Sequence, residues 1–317
     1  MGKIAYRTYT PGDEAAIVQL WNDCLPRDPI TSKRFRHLVL LDANFDPKGM
    51  QLAFAGSELV GCAYGVRRLM PMHGTDLESE NGWMPFFFVH PAYRQQRIGT
   101  QLFAEVCQFL QANGRKHVFF ASYAPNYILP GIDEKTYPEA YQFLLAQQFA
   151  VQYSPVAMDR SLVGYEIPQD VQALKKEREA EGYTFRQAAD RDLYEVIQFA
   201  KDVFNPDWGR AIREGILQGL PLERLLIARE VRELVGFCLY GGYEGFPERF
   251  GPFGVDPGQQ GKGLGKILLY ECLHLMRAES LHGAWFLWTG EKTSAGHLYK
   301  RAGFSVTRHF HVMKKLL

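Results

Sequence analysis

Apolar positions along this 317-residue chain fall into helical and strand-like periods, and the same succession of periods runs through it twice. Ala16, Ile17, Leu20 and Trp21 share one face of a helix, as do Val196 and Phe199 later on. Short apolar runs at 51–55 and 225–229 read as strands, each leading through a polar turn into a second strand. Long amphipathic helices are predicted over 98–113 and 263–279. The predicted order in each pass is strand, helix, helix, two-strand hairpin, strand, helix, strand, helix, strand. A repeat of this length points to two copies of one fold.

Residue identities repeat as well as periods. Arg7 precedes Asp13 by six residues, and Arg186 precedes Asp192 by six; each Asp is the expected N-cap of the helix that follows. Glu58-Leu59-Val60-Gly61 matches Glu233-Leu234-Val235-Gly236. Val89-His90-Pro91 matches Val255-Asp256-Pro257, and Phe149 matches Phe304. The charged stretch at 168–182 reads as a linker whose Lys175–Glu179 run is a solvated helix face. The expected domains are therefore 1–165 and 166–317. The first copy carries 11 more residues between its Pro91 and Phe149 than the second between Pro257 and Phe304. Pro125, Pro130-Gly131 and Pro138 mark the excess as an inserted surface loop.

Composition narrows the function classes. A hydrophobic fraction of 46% and a charged fraction of 22% belong to a folded chain rather than a disordered or fibrous one. Net charge is +1, and division after Arg160 gives 15 basic and 15 acidic residues before it and 21 and 20 after. Neither half has the excess of positive charge that phosphate-backbone binding requires, so no nucleic-acid partner is expected. Apolar runs such as Phe86–Val89 are too short to span a bilayer, so no membrane partner is expected. The stretch MGKIAYRTYT lacks the apolar core of a signal peptide. Five cysteines without a C-x-x-C pair read as buried free thiols in a reducing, cytoplasmic setting. His309 and His311 are expected on one strand face, and two histidines without a third ligand give no metal site. Oligomeric state is not legible.

The most specific chemistry lies in Val255-Asp256-Pro257-Gly258-Gln259-Gln260-Gly261-Lys262-Gly263-Leu264-Gly265-Lys266, between a strand and a helix. Glycines there let backbone N–H groups and the helix N-terminus approach phosphate oxygens, and Lys262 and Lys266 add positive charge. The spacing fits neither of the common nucleotide-binding glycine motifs. The pattern V-x-P-x-x-Q-x-x-G-x-G resembles the acetyl-CoA loop of the GNAT superfamily of N-acetyltransferases. Ala295-Gly296-His297-Leu298-Tyr299-Lys300-Arg301-Ala302-Gly303-Phe304 resembles that family's A-x-x-L-Y-x-x-x-G-F segment. The resemblance covers nearly the whole chain as a tandem pair, in a layout similar to the mycothiol synthases of that family.

The resemblance implies an α/β (α+β) architecture of two tandem folds, each a mixed, mostly antiparallel sheet flanked by helices. It implies acetyl-CoA as cosubstrate and an amine of a small molecule or peptide as acceptor. Phe253, Gly254 and Val255 would offer backbone groups to the pantetheine and thioester, with Val255 N–H at the developing oxyanion. Gln260, Gly261, Lys262, Gly263, Leu264, Gly265 and Lys266 would hold the pyrophosphate. Lys292 stands where the family often has a cofactor-bonding Asn. Tyr299 matches the family's general acid, which protonates the leaving thiolate. Glu244, Glu248 and Glu291 lie near the relevant strands as base candidates, and of Trp285 and Trp288 one is expected in the core and one on a cleft wall. The first copy departs from the pattern: Arg97 replaces a loop glycine, Leu144 stands at the position of Tyr299, and Gln148 at that of Gly303. It is expected to be non-catalytic. A non-catalytic acyl-CoA-binding sensor or assembly module is the competing function.

Overall fold

The structure, a computed structural model, describes residues 3–317; Met1 and Gly2, and with them the start of the leader reading, lie outside the described residues. The chain forms two compact units. The N-terminal unit comprises the chain up to Pro71, Asp76–Pro155 and His309–Leu317; the C-terminal unit comprises Met72–Thr75 and Val156–Arg308.

The N-terminal unit runs β1 (Ile4–Thr8), α1 (Glu14–Cys24), α2 (Ser32–Phe35) continuing into a π turn, β2 (Met50–Ala55), β3 (Glu58–Val66), β4 (Asn81–Val89), α3 (Ile98–Ala112), β5 (His117–Phe120), α4 (Pro138–Ala146) and β6 (Ala150–Tyr153). Its seven-stranded sheet has the order β1-β2-β3-β4-β5-β14-β6, where β14 (Val312–Leu316) is the last strand of the chain. Pairings are antiparallel except β4 with β5. Successive side chains of β4 serve opposite faces. Phe86 and Phe88 join Trp21 and Phe35 on one side, and Phe87 packs with Phe103, Leu144 and Phe149 on the other.

The C-terminal unit runs β7 (Val156–Ser161), α5 (Gln169–Ala180), β8 (Tyr183–Gln187), α6 (Leu193–Phe199) with a π turn to Phe204, α7 (Pro206–Leu217), β9 (Leu225–Glu230), β10 (Glu233–Tyr240), β11 (Phe250–Val255), α8 (Leu264–Ala278), β12 (Gly283–Thr289), α9 (Ser294–Arg301) and β13 (Ser305–His309). One sheet has the order β11-β10-β9-β8 and the other β12-β7-β13. Phe237 and Ile227 face α6 and α7; Leu268, Cys272 and Tyr299 lie on the opposite face.

The repeated Glu-Leu-Val-Gly has a packing cause. A Cβ on Gly61 would lie 2.8 Å from Cδ1 of Leu102 on α3, and one on Gly236 would lie 2.9 Å from Cδ1 of Leu268 on α8. In both units the glycine lets the long helix press against the hairpin.

Several expectations are corrected. The compact units do not divide at 165/166: β7 belongs to the C-terminal unit and β14 to the N-terminal one. The joints before these strands, Ser154-Pro155 and Phe310-His311, lack the Gly or Asn that a two-residue hairpin turn demands. Neither strand folds back on its predecessor, and each fills the place between the fifth and sixth strands of a unit. Asp13 and Asp192 stand at the N-cap position without capping. Their carboxylates turn back to Arg7 (2.7 Å, twice) and Arg186 (2.7 and 2.8 Å), and to the N–H groups of Thr10 and Ala189. The inserted segment is no surface loop: Tyr123, Ile128 and Ile132 are buried in the core. The charged stretch is no linker but helix α5, and the Lys175–Glu179 run lies in it as the helix face expected.

Candidate functional site

Strand β11 loses its neighbour on one side. Only a bridge between Arg249 and Trp285, with the Trp285 N–H donating to the Glu248 carbonyl (3.0 Å), ties its start to β12; beyond it the two strands lie in different sheets. On the other side, the Asp256 N–H donates to the Val235 carbonyl (2.9 Å), and Gly254 is opposite Phe237. Antiparallel pairing alternates, so Gly254 turns its N–H and C=O to β10, while Phe253 and Val255 turn theirs toward the gap. Gly254 is thereby displaced from the expected set of backbone donors. Its missing side chain has another cause: a Cβ there would lie 2.4 Å from Cζ of Phe204.

Tyr299 stands across this gap. Its ring centroid is 5.9 and 6.2 Å from Phe250 and Phe253 on β11 and 4.5 Å from Phe286 on β12. Among the described residues its hydroxyl makes no hydrogen bond. Burial, with the nearby Cys238 and Cys272 thiols, pushes its pKa well above that of a free phenol, so it is protonated throughout the physiological range.

The loop before α8 has Gly261 and Gly263 at φ of +83° and +77°. This left-handed geometry is open to glycine at little cost and turns N–H groups outward at the helix start. Leu264 buries its side chain and contributes only backbone; Gly265 opens the first helical turn. Gln260 and Lys292 are exposed. The two lysines do not stand free over the loop. Lys262 Nζ lies 2.6 Å from the Tyr183 hydroxyl and 3.6 Å from Glu230, and Lys266 Nζ lies 2.5 Å from Asp170 on α5. Leu174 of α5 packs on Gly263, its Cδ2 2.8 Å from where a Cβ would stand.

Comparison with known proteins fits this geometry. A profile described as an acetyltransferase (GNAT) domain matches residues 221–306, and one described as the acetyltransferase (GNAT) family matches residues 15–128. The chain is a tandem member of the GNAT acetyltransferases. A mycothiol acetyltransferase of Rhodococcus erythropolis is 39% identical over 59 residues, 19% of either chain. The glucosamine N-acetyltransferase region of a fungal multi-domain GH3 beta-N-acetylglucosaminidase superposes with a TM-score of 0.82 at 15% identity, over 99% of this chain and 38% of that one. A GCN5-related N-acetyltransferase from Sphaerobacter thermophilus gives 0.74 at 18% identity, covering 99% and 95%. A tandem GNAT protein of the clavulanic acid biosynthesis pathway gives 0.64 at 14%, covering 99% and 98%. At these identities the structures establish the fold.

The N-terminal GNAT unit keeps the loop shape without the glycines: Gln95 and Arg97 have φ of +60° and +63°. Arg97 therefore does not distort the loop. Strand β4 pairs with β5 only over Asn81–Met84, and the His90 N–H donates to Val60. By the same alternation Phe87 and Val89 turn their backbone toward a gap that opens at Pro85. A cavity of about 760 Å3 fills that gap. Leu144, fully buried, stands at the place of Tyr299.

Other expected groups fall elsewhere. Neither tryptophan of β12 is in the core, because Ala284 and Phe286 take the buried positions; Trp285 sits against Arg249 and Phe246. Of the base candidates, Glu244 pairs with Arg249 (2.9 Å) and Glu291 with Lys300 (2.7 Å). His309 and His311 lie on either side of a strand break, and no three His, Cys, Asp or Glu side chains among the described residues are grouped so as to hold a metal ion. A buried ionic cluster escaped the sequence reading. Arg210 bonds Asp207 (2.8 Å) and Glu214 (2.6 Å), and the Tyr243 hydroxyl donates to Asp207 (3.1 Å). The spacing of 207, 210 and 214 on one helix face was the available signal. Among the described residues no helix is long and apolar enough to cross a membrane.

Proposed function

We propose that the protein transfers an acetyl group from acetyl-CoA to the amine of a small molecule or peptide, and that the C-terminal unit carries out the transfer. The observation that carries this reading is the pairing of an unengaged Tyr299 hydroxyl with a gap into which the Phe253 and Val255 backbones point. The pantetheine arm lies along β11 as a missing strand would. Gln260 to Lys266, chiefly through the N–H groups from Gly261 to Gly265, hold the pyrophosphate, with Lys292 at the exposed entrance.

The neutral amine attacks the thioester carbon, and negative charge gathers on its oxygen, where the Val255 N–H is already oriented. The C–S bond breaks, and Tyr299 gives its proton to the sulfur. The ammonium formed on the acceptor loses its proton to solvent or a carboxylate, and Tyr299 regains one from water. The fungal region named as a glucosamine N-acetyltransferase supports an amine acceptor. The five free thiols support a reducing, cytoplasmic setting. Incubation with acetyl-CoA and a panel of amines, glucosamine among them, read by mass spectrometry, tests the reading. An N-acetylated product is expected; tight CoA binding without product from any amine would establish the sensor function instead.

A further inference from the structure

The joints before β7 and β14 meet in the N-terminal unit, where the Phe310 N–H donates to the Pro155 carbonyl (2.9 Å). Beside this bond, three side chains from distant parts of the chain form a hydrogen-bonded row. Ser154 Oγ lies 2.8 Å from His311 Nδ1, and His311 Nε2 lies 3.2 Å from Glu134 Oε2. A hydroxyl, an imidazole and a carboxylate in that order are the parts of a nucleophilic triad, which is recognised by geometry and roles rather than by position in the chain. None of the three lines the cavity of the strand gap.

The backbone around the row holds it in place. The His311 N–H donates to the Ile132 carbonyl (2.8 Å), and the Ile132 N–H donates to the His311 carbonyl (3.0 Å), a closed bridge. Gly131 permits this approach, since a Cβ there would lie 2.3 Å from the His311 carbonyl oxygen. Asp133, which is buried, accepts from the Lys135 and Thr136 N–H groups (3.1 Å each) and from the Thr136 hydroxyl (2.7 Å), and so fixes the turn that carries Glu134. The Tyr141 ring lies against the imidazole, with centroids 5.1 Å apart and planes at 31°. These backbone bonds already tie the two joints together, so the side-chain row is not needed for that task.

The row has the parts for acyl chemistry. Glu134 selects the tautomer with its proton on Nε2, which leaves Nδ1 to accept from the Ser154 hydroxyl. Ser154 is exposed, so its oxygen is within reach of a substrate. Its own N–H donates to no described residue and is at hand for the oxygen of an attacked carbonyl. A row at the surface suits an ester whose leaving group departs with little help, and the face of Tyr141 suits a flat one.

We propose that Ser154, His311 and Glu134 form an esterase-type site in the N-terminal unit, separate from acetyl transfer, that takes activated esters with an aryl leaving group. The Ser154 oxygen attacks the ester carbon while its proton passes to His311 Nδ1. The C–O bond to the aryl group breaks, and His311 gives the proton to the departing oxygen. Water then attacks the acyl-serine, its proton passes through His311 to the Ser154 oxygen, and the carboxylic acid leaves. Ester and water become acid and phenol. Ser154 and His311 are the catalytic groups, and Glu134 is a positioning residue.

The full-length protein is treated with a fluorophosphonate, which labels activated serines, and mapped by peptide mass spectrometry; hydrolysis of para-nitrophenyl acetate is followed in parallel. Label on Ser154 is expected, and Ser154→Ala should slow hydrolysis at least about a hundredfold while leaving acetyl-CoA turnover unchanged. Glu134→Gln keeps an acceptor for the His311 Nε2–H and removes the charge. It should slow labelling at least about tenfold with Tm unchanged. Absence of label on Ser154, or equal hydrolysis by wild type and Ser154→Ala, overturns the proposal. An unchanged labelling rate in Glu134→Gln also overturns it, because the row is then only a structural tie.

Discussion

The two units have the same backbone plan and place different residues at its special positions. Gln95 and Arg97 hold the left-handed geometry that Gly261 and Gly263 hold, and Gln148 (φ +67°) holds that of Gly303 (φ +85°). A side chain in this region costs about 1–2 kcal/mol, which the surrounding fold over-determines. Loop shape is therefore a property of the fold, and glycine is not needed to make it. What separates the units is what the shape is loaded with. One has a phenol across a widely opened gap and α5 laid over its loop. The other has a leucine there, a shorter gap and a cavity within that gap.

The comparison can be broken most severely at the buried ionic cluster of the C-terminal unit. Asp207→Ala leaves Arg210, 7% exposed, with Glu214 as its remaining carboxylate. Asp207 and Glu214 hold the Arg210 pKa above its ordinary value against the cost of burial. A loss of about 3–5 kcal/mol in urea unfolding is expected; a loss under 1 kcal/mol would show that the cluster is solvated. The equivalence of the two hairpin glycines is tested by Gly61→Val and Gly236→Val made in parallel. Each is expected to cost about 1–3 kcal/mol through displacement of Leu102 or Leu268. A cost in one unit alone would mean that the repeated motif has two different causes.

The smallest effect concerns the repeated Arg–Asp pair. Hydrogen bonds from Arg7, together with the Thr10 N–H, lower the Asp13 carboxyl to about 2 despite the opposing effect of burial. A carboxylate depressed in the folded state stabilises the protein above its unfolded pKa, near 4, and loses that contribution as pH falls toward 2. The difference between wild type and Asp13→Asn should shrink over that window, from on the order of 1 kcal/mol once solvent screening of the exposed Arg7 is counted. Asp192, lowered further by Arg186, retains its contribution to lower pH.

What was legible in the sequence was local. The Arg–Asp pairs, the Glu-Leu-Val-Gly hairpins and the Leu-Tyr segment are residue identities at fixed spacing, and each maps onto one element or one contact. Strand destinations were not legible, because β7 and β14 find partners far away in the chain and their joints show only that they do not turn back. The cavity was not legible either, since Ile128 and Ile132 had to fold inward from a segment whose prolines and glycine read as surface. Lys262 and Lys266 looked like loop charges until Glu230 and Asp170 were found beside them.

The central claim, that transfer belongs to the C-terminal unit and depends on one phenolic proton, is tested most directly by Tyr299→Phe. The substitution keeps the ring among Phe250, Phe286 and Phe304 and removes a hydroxyl that bonds no described residue, so the fold should be unaffected. The account predicts a fall in kcat of at least about a hundredfold with acetyl-CoA affinity unchanged. Turnover at the wild-type rate would contradict it and move the chemistry away from Tyr299.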